Sequence, residues 1–424
     1  MIATDKSIII TFAVPVFLLL IFIEYVYGVR TGKNNYRVSD TFTSLALGLI
    51  SRLPPMLNLG FQGVVFAYVG IYFSSDFLSP QSMWTWLVAF VFYDFLYYWM
   101  HRMHHEIKVL WATHCVHHHG EEFNLSTALR QTSTGWLWKW VFYLPMIVIG
   151  IPAQMFVTVA GINLVYQFWV HTKHIGHLGV FEKVFVTPMN HGIHHAKNPE
   201  YIDANYGGVF IFWDRIFGTY IAEQQNVKPV YGTVKPLGSW NPIWANFQVF
   251  HQMLHDTVRT RSLSNKLKIW YGPTYWRPDD AVEEEPPLDA VRFTEKFSPP
   301  LNIQQKVFAI IQLFSIVIFA GILAASVSSQ TYQETSIFGL TLVSIVLLTS
   351  LILENKSYAL SLHLISSYLL LLLIYMGGVF NNGLLATQFL IFHAMANALF
   401  LTMVMILKRF GIGGVFDKAL KHEK

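Results

Sequence analysis

Seven apolar runs of nearly membrane-crossing length lie along the 424-residue chain, at about 7–28, 56–75, 83–103, 306–327, 336–353, 357–376 and 385–407. A helix needs about 17–25 such residues to span a bilayer, and within the hydrocarbon each backbone N–H and C=O has to be paired inside its own segment. Runs of this length therefore predict helices. A further apolar block, residues 136–172, is broken by Gly150-Ile151-Pro152, which predicts a helical hairpin whose two arms cross, or nearly cross, the bilayer. The expected fold is all-α and polytopic, with about nine transmembrane or hairpin helices.

Composition agrees, with 53% hydrophobic and only 13% charged residues. Lys and Arg number 29 against 25 Asp and Glu, and no basic stripe marks a nucleic-acid surface. Cys115 is the single cysteine, so no intramolecular disulfide can form. The first apolar run is followed by Glu24-Tyr25 rather than by a small-residue cleavage site, and is read as a retained helix.

Threading the spans in order gathers Arg30, Lys33, Arg37, Arg52, Arg102, Lys108, Arg130, Lys356, Lys408 and Arg409 on one side. The opposite loops, 76–82, 328–335 and 377–384, carry no Lys or Arg. Positive charge marks the cytosolic face, so residues 101–135 and 172–300 are expected there, with an acidic, proline-rich linker at 279–287. Three domains follow: N-terminal spans 1–100, a histidine-rich region with a cytosolic cap 101–300, and C-terminal spans 301–424. The last four helices carry no chemical motif and read as a packing or lipid-facing module.

Of 18 histidines, 13 fall between 101 and 195. They form His101-x-x-x-His105, His114-x-x-His117-His118 and His191-x-x-His194-His195, spacings that put imidazoles on one face of a helix. Any one pair could be incidental surface polarity; three clusters point to a shared site. Imidazole selects a transition metal over Mg or Ca, and eight rings exceed what one ion takes, so two metals with open positions fit better than a closed zinc site. Ligand type alone does not choose iron over zinc.

His171 ends an apolar helix and is either a ninth ligand or an interfacial histidine beside the aromatic belt. Asp94, seven residues before His101 within an apolar span, is expected to accept the second N–H of a ligating ring, and Glu106 to do the same or to be a solvated interface residue. His104, His119, His174 and His177 are read as bystanders. Cys115 turns about 100° away from His114 on the helix and is read as packing.

These clusters, together with Asn124-Leu-Ser-Thr-Ala-Leu-Arg130, Asn205-Tyr-Gly-Gly208 and Trp213-Asp-Arg-Ile-Phe-Gly-Thr219, resemble the fatty acid hydroxylase or sterol desaturase superfamily of membrane di-iron enzymes. Within it, His-Arg-Met-x-His at 101–105, Ser-Thr-Ala-Leu-Arg-Gln at 126–131, Tyr166-Gln-Phe-Trp-Val-His-Thr172 and Val230-Tyr-Gly232 are most similar to the alkylglycerol monooxygenase branch. The likeness is close over about 38–260 and thereafter lies in helical character. His104 departs from the small residue expected there. The resemblance implies two Fe ions on His101, His105, His114, His117, His118, His191, His194 and His195. It further implies O2-dependent hydroxylation of the ether-linked carbon of an alkylglycerol with tetrahydrobiopterin as electron donor, giving fatty aldehyde and glycerol. No pterin-binding motif is legible.

Two other readings stand beside it. One is the same chemistry on a fatty acyl, sphingoid or sterol lipid. The other is a membrane metal-binding or transport protein, which would spread polar ligands through several spans rather than gather them at one face. The expected location is the endoplasmic reticulum in a eukaryote or the inner membrane in a bacterium; oligomeric state is not legible.

Overall fold

The computed structural model describes residues 3–57, 59, 62–73, 78–282, 293–377 and 385–409. The expected linker lies outside them at 283–287, as do 76–77 and 378–384 of the loops free of Lys and Arg. Among the described residues there is no strand, only isolated bridges such as Phe185 with Phe210 and Ala196 with Tyr231.

In chain order the principal helices are α1 (Ala3–Arg30), α2 (Val38–Ile50), α3 (Gln62–Phe73), α4 (Met83–Glu106), α5 (Lys108–His118), α6 (Ala153–Trp169) and α7 (Pro188–His194). They continue as α8 (Pro242–Arg259), α9 (Leu263–Tyr271), α10 (Ile303–Ser326), α11 (Tyr332–Leu353), α12 (Ala359–Met376) and α13 (Leu385–Arg409).

Five stretches are long and apolar enough to cross a membrane: Ala13–Arg30, Ile303–Ser329, Tyr332–Leu353, Ala359–Met376 and Leu385–Ile406. The remaining apolar runs are realised differently. α3 is described over 12 residues, and the apolar run around it passes outside the described residues at 58, 60–61 and 74–75. α4 has 24 residues, enough for about 36 Å; it carries Asp94 at its middle and ends in His101-Arg102-Met-His104-His105-Glu106, and is not among the five. The hairpin forms as expected at its break, where Gly150 takes φ +88° and Pro152 caps α6. Its first arm is a 3-10 turn, Lys139–Tyr143, running into the short helix Leu144–Val148. Its second arm, α6, has 17 residues.

The chain divides into two compact units. The first comprises Met1–Arg37, Gly60–Leu237 and Asn246–Lys296, and holds the histidines of 101–195. One of its cores joins α4 to the hairpin through Ala89, Tyr93, Leu96, Tyr143, Met146, Ile151, Met155 and Val159. Another joins α5 to α8 and α9 through Val109, Leu110, Ala112, Met253 and Ile269. Where the alternative is water, each such large side chain contributes about 1.5–3 kcal/mol.

The second unit comprises Val38–Leu59, Gly238–Ala245 and Phe297–Lys424. In it α2 packs on α10 and α11 through Phe42, Ala46, Ile50, Ala309, Ile316, Phe319, Phe338 and Leu342. In lipid such packing rests on close van der Waals fit rather than on water release. Gly339 shows this, since a Cβ there would come within 3.3 Å of Leu53. Its helices are capped locally, α10 by Asn302 with Gln305 and α11 by Thr331 with Glu334.

Candidate metal centre

The histidine spacing becomes a site because three short breaks aim three helices at one point. α4 delivers His101 and His105, then Ile107 leaves the helical region (φ −106°, ψ 123°) and α5 begins, carrying His114, His117 and His118. α7 starts at a capping box between Thr187 and Asn190 with Pro188 in its first turn, and presents His191 and His194, with His195 as its C-cap. His171 follows directly on the end of α6, whose C-cap is Val170.

Nine imidazoles gather into two groups among the described residues. His101, His105, His114, His118 and His194 form one, His117, His171, His191 and His195 the other, and within each group the candidate ligand atoms lie within 4.8 Å of one another. His171 thus joins the set. The Nε2–Nε2 separations are 3.0 Å for His101–His114, 3.2 Å for His114–His118, 3.2 Å for His117–His171, 3.0 Å for His171–His191 and 3.1 Å for His191–His195.

Backbone carbonyls decide which nitrogen is free. Nδ1 of His101 donates to Tyr206 O (2.8 Å), His117 to Arg130 O (3.0 Å), His171 to Gln167 O (2.8 Å) and His194 to Ala204 O (2.9 Å). A neutral ring has one N–H, so Nε2 in each of these four is a bare lone pair. His117 and His171 therefore point two lone pairs at each other across 3.2 Å, a repulsive contact that a shared cation makes favourable. At a metal–nitrogen bond of about 2.1 Å, neighbouring ligands are about 3.0 Å apart around a six-coordinate ion and about 3.4 Å around a tetrahedral one. The observed 3.0–3.2 Å spacings fall in the range set by a shared ion, and the donor set fits iron.

Burial keeps these rings neutral. Desolvation is the largest cause throughout, and it lowers His171 from 6.5 to about 3 and His194 to about 4. It also holds His114, His117, His118, His191 and His195 well below 6.5, helped by neighbouring imidazoles.

Asp94 acts one step further out than expected. Seven residues are about 10.5 Å of helix, too far for its carboxylate to reach the His101 ring. Its oxygens instead accept from Asn163 Nδ2 (2.8 Å), Val209 N (2.8 Å), Phe210 N (3.1 Å) and Trp213 Nε1 (3.1 Å). It thereby anchors the loop whose Tyr206 carbonyl takes the His101 proton. Asp214 grips the same loop at Tyr206 N and Gly207 N. Gly207 and Gly208 are needed there: a Cβ would meet Phe210 O at 2.6 Å from the first, and Asp94 Oδ1 and Tyr97 at 2.8 Å from the second. Of the two readings of Glu106, the structure favours the solvated one, since its side chain is partly exposed and pairs with Arg102 (2.7 Å) rather than with a histidine ring.

The sequence reading missed two supports. Arg130 is buried, donates through Nε to Val116 O (3.0 Å), and offers its own carbonyl to His117. Glu24, buried on α1, accepts from Leu125 N (2.8 Å), Thr172 Oγ1 (2.5 Å) and the Tyr36 hydroxyl, tying α1 to the residue after His171. The signal for Glu24 lies in the sequence, since an intramembrane carboxylate needs partners. Phe123 lies against His171 and His195 (5.6 and 5.3 Å between ring centres), and Tyr231 stacks on it at 4.8 Å.

The bystanders stay outside both groups. His104 donates through Nδ1 to Met100 O, His174 packs on Tyr27, His177 pairs with Glu182, and His119 is buried. Cys115 is buried, and desolvation pushes its thiol up to about 12, as suits a packing residue.

Residues 86–219 match the fatty acid hydroxylase family model. The chain is 34% identical to an alkylglycerol monooxygenase of Danio rerio over 85% of this chain and 81% of that one. It is 35% identical to an alkylglycerol monooxygenase of Homo sapiens over 76% and 71%. It is 27% identical to an ornithine lipid hydroxylase of Rhizobium tropici over 43% and 58%. No solved structure matches.

Proposed function

Because the chain belongs to the alkylglycerol monooxygenase family, as a multi-pass membrane oxidoreductase with a fatty acid hydroxylase domain, we propose that its own substrate is an alkylglycerol ether lipid. One atom of O2 enters the C–H next to the ether oxygen, and the other leaves as water with two electrons and two protons from tetrahydrobiopterin. The resulting hemiacetal collapses to a fatty aldehyde and a glycerol derivative.

The observation that carries the metal assignment is the pair of facing lone pairs on His117 and His171. Two iron ions are assigned, one to His101, His105, His114, His118 and His194, the other to His117, His171, His191 and His195. Bound iron supplies the redox chemistry that activates O2 toward a C–H bond. The chain's own part is positional. Carbonyls of Arg130, Gln167, Ala204 and Tyr206 fix ring tautomers, and Asp94 and Asp214 fix the loop that provides one of them. Burial keeps bulk water from the site, and the apolar helices hold the alkyl chain while the glycerol head stays wet.

The site is assigned to the cytosolic face, from the side on which Arg30, Lys33, Arg37, Arg102 and Lys108 fall, in the endoplasmic reticulum or a bacterial inner membrane. Residues 1–100, 101–300 and 301–424 are taken as N-terminal spans, catalytic region and C-terminal spans. The test is aerobic incubation of the purified, iron-loaded protein with an alkylglycerol and tetrahydrobiopterin. Aldehyde release requiring both O2 and pterin is expected. Iron-loaded protein that releases none, yet hydroxylates an acyl or sterol lipid, would overturn the substrate assignment.

A further inference from the structure

Helices α8 and α9 are two-faced in a way the metal site does not use. Along α8, Phe247, Leu254 and Val258 are exposed by 48, 56 and 74%, and along α9 and the turn after it Leu263, Leu267, Tyr271 and Tyr275 by 79, 69, 68 and 85%. The spacings of seven and four in the first helix, and of four throughout the second, make each set one stripe. Their other faces are buried: Met253 and Ile269 pack on Val109, Leu110 and Ala112 of α5, the helix that carries His114, His117 and His118.

Charge says what covers the stripes. Between 247 and 271 there are four cations, Arg259, Arg261, Lys266 and Lys268, and one carboxylate. That carboxylate, Asp256, is buried and held by Arg277 at 2.8 Å. An apolar stripe edged by Lys and Arg, on helices of 18 and 9 residues that are too polar to span, is the signature of a helix lying in the plane of a membrane surface. We propose that α8 and α9 form an interfacial paddle: Phe247, Leu254, Val258, Leu263, Leu267 and Tyr271 enter the acyl boundary of the protein's own bilayer, while the four cations meet anionic lipid headgroups. Because α5 rests on the other side of this paddle, the histidines are held at headgroup depth. The inference stands on exposure and charge and does not depend on the identity of the substrate.

The single native thiol is buried, so introduced cysteines can be labelled selectively. Leu254→Cys and Leu267→Cys, each spin-labelled in the full-length protein, would be reconstituted in bilayers of phosphatidylcholine with and without phosphatidylserine. The labels should collide more with dissolved O2 than with a water-soluble nickel chelate, and phosphatidylserine should increase that bias. Greater access to nickel at both positions would overturn the proposal, and so would equal shielding from both reagents, which is the result expected if a second copy or another protein covered the face. A bias indifferent to phosphatidylserine would overturn the role of the cations. Lys268→Glu, labelled at Leu254→Cys, should weaken the phosphatidylserine effect, and an undiminished effect there would overturn the part given to Lys268, which also lies over the Trp276 ring at 4.1 Å.

Discussion

His117 and His171, 54 residues apart in sequence, face each other through Nε2 atoms 3.2 Å apart while each commits its ring proton to a carbonyl, Arg130 O and Gln167 O. Without a cation between them the contact is repulsive, and His171 groups with His117, His191 and His195 whereas His174, three residues on, does not. His171→Ala should cost more iron affinity than the about 10–100-fold typical of losing an outer partner, and should abolish turnover. His174→Ala should keep both. Iron per chain and aldehyde release, measured on the two variants side by side, check this.

Asp94 gives the second prediction. Asp94→Asn turns a buried acceptor toward four donors, leaving at least one unpaired at about 1–3 kcal/mol, and frees the loop that carries Tyr206 O. Iron affinity should fall about 10–100-fold. Gly208→Ala should act in the same direction by pushing Asp94 aside, because its Cβ would lie 2.8 Å from Oδ1. Iron titration of each metal-free variant is the measurement, and unchanged affinity in both would refute the loop's role.

Glu24 predicts a stability effect. Glu24→Gln leaves one of the buried donors at Tyr36, Leu125 and Thr172 without its acceptor, worth about 1–3 kcal/mol. Thermal unfolding in detergent should move to lower temperature, and Thr172→Val should reproduce part of the shift.

The fourth prediction concerns acid. His194 titrates near 6.5 when unfolded and near 4 when folded, and His171 near 3, so between these values the unfolded chain binds protons that the folded one refuses. Stability of the metal-free protein then rises with pH across that window and is lost as pH falls through it. Its unfolding midpoint should be level above about pH 7 and drop steadily from about pH 6.5 toward pH 4. A midpoint that rises on acidification would exclude neutral, buried imidazoles.

The convergence of the histidines at 101–118 and 191–195 was legible because helical spacing is a local property and thirteen histidines in one stretch are hard to explain otherwise. What holds them was not. The acceptors for His101 and His194 are main-chain oxygens of Tyr206 and Ala204, and a carbonyl has no letter in the sequence. Asp94 was singled out as an intramembrane carboxylate, but its partners come from 163 and 209–213, contacts that only the folded loop defines. At α3 the described helix, Gln62–Phe73, falls inside the apolar run expected at 56–75, parts of which lie outside the described residues.

The division of nine rings into five and four makes the two positions unequal hosts. A pocket that surrounds its ion with five nitrogens holds it harder and leaves it less room for anything else than one with four. With one ion in each, the five-ring pocket would be the first to fill and the last to empty, and the four-ring pocket, beside Phe123, would offer its ion one nitrogen fewer. Preparations carrying a single ion per chain would then be metallated, folded and inert, so occupancy has to be counted before a lack of turnover is attributed to the wrong lipid.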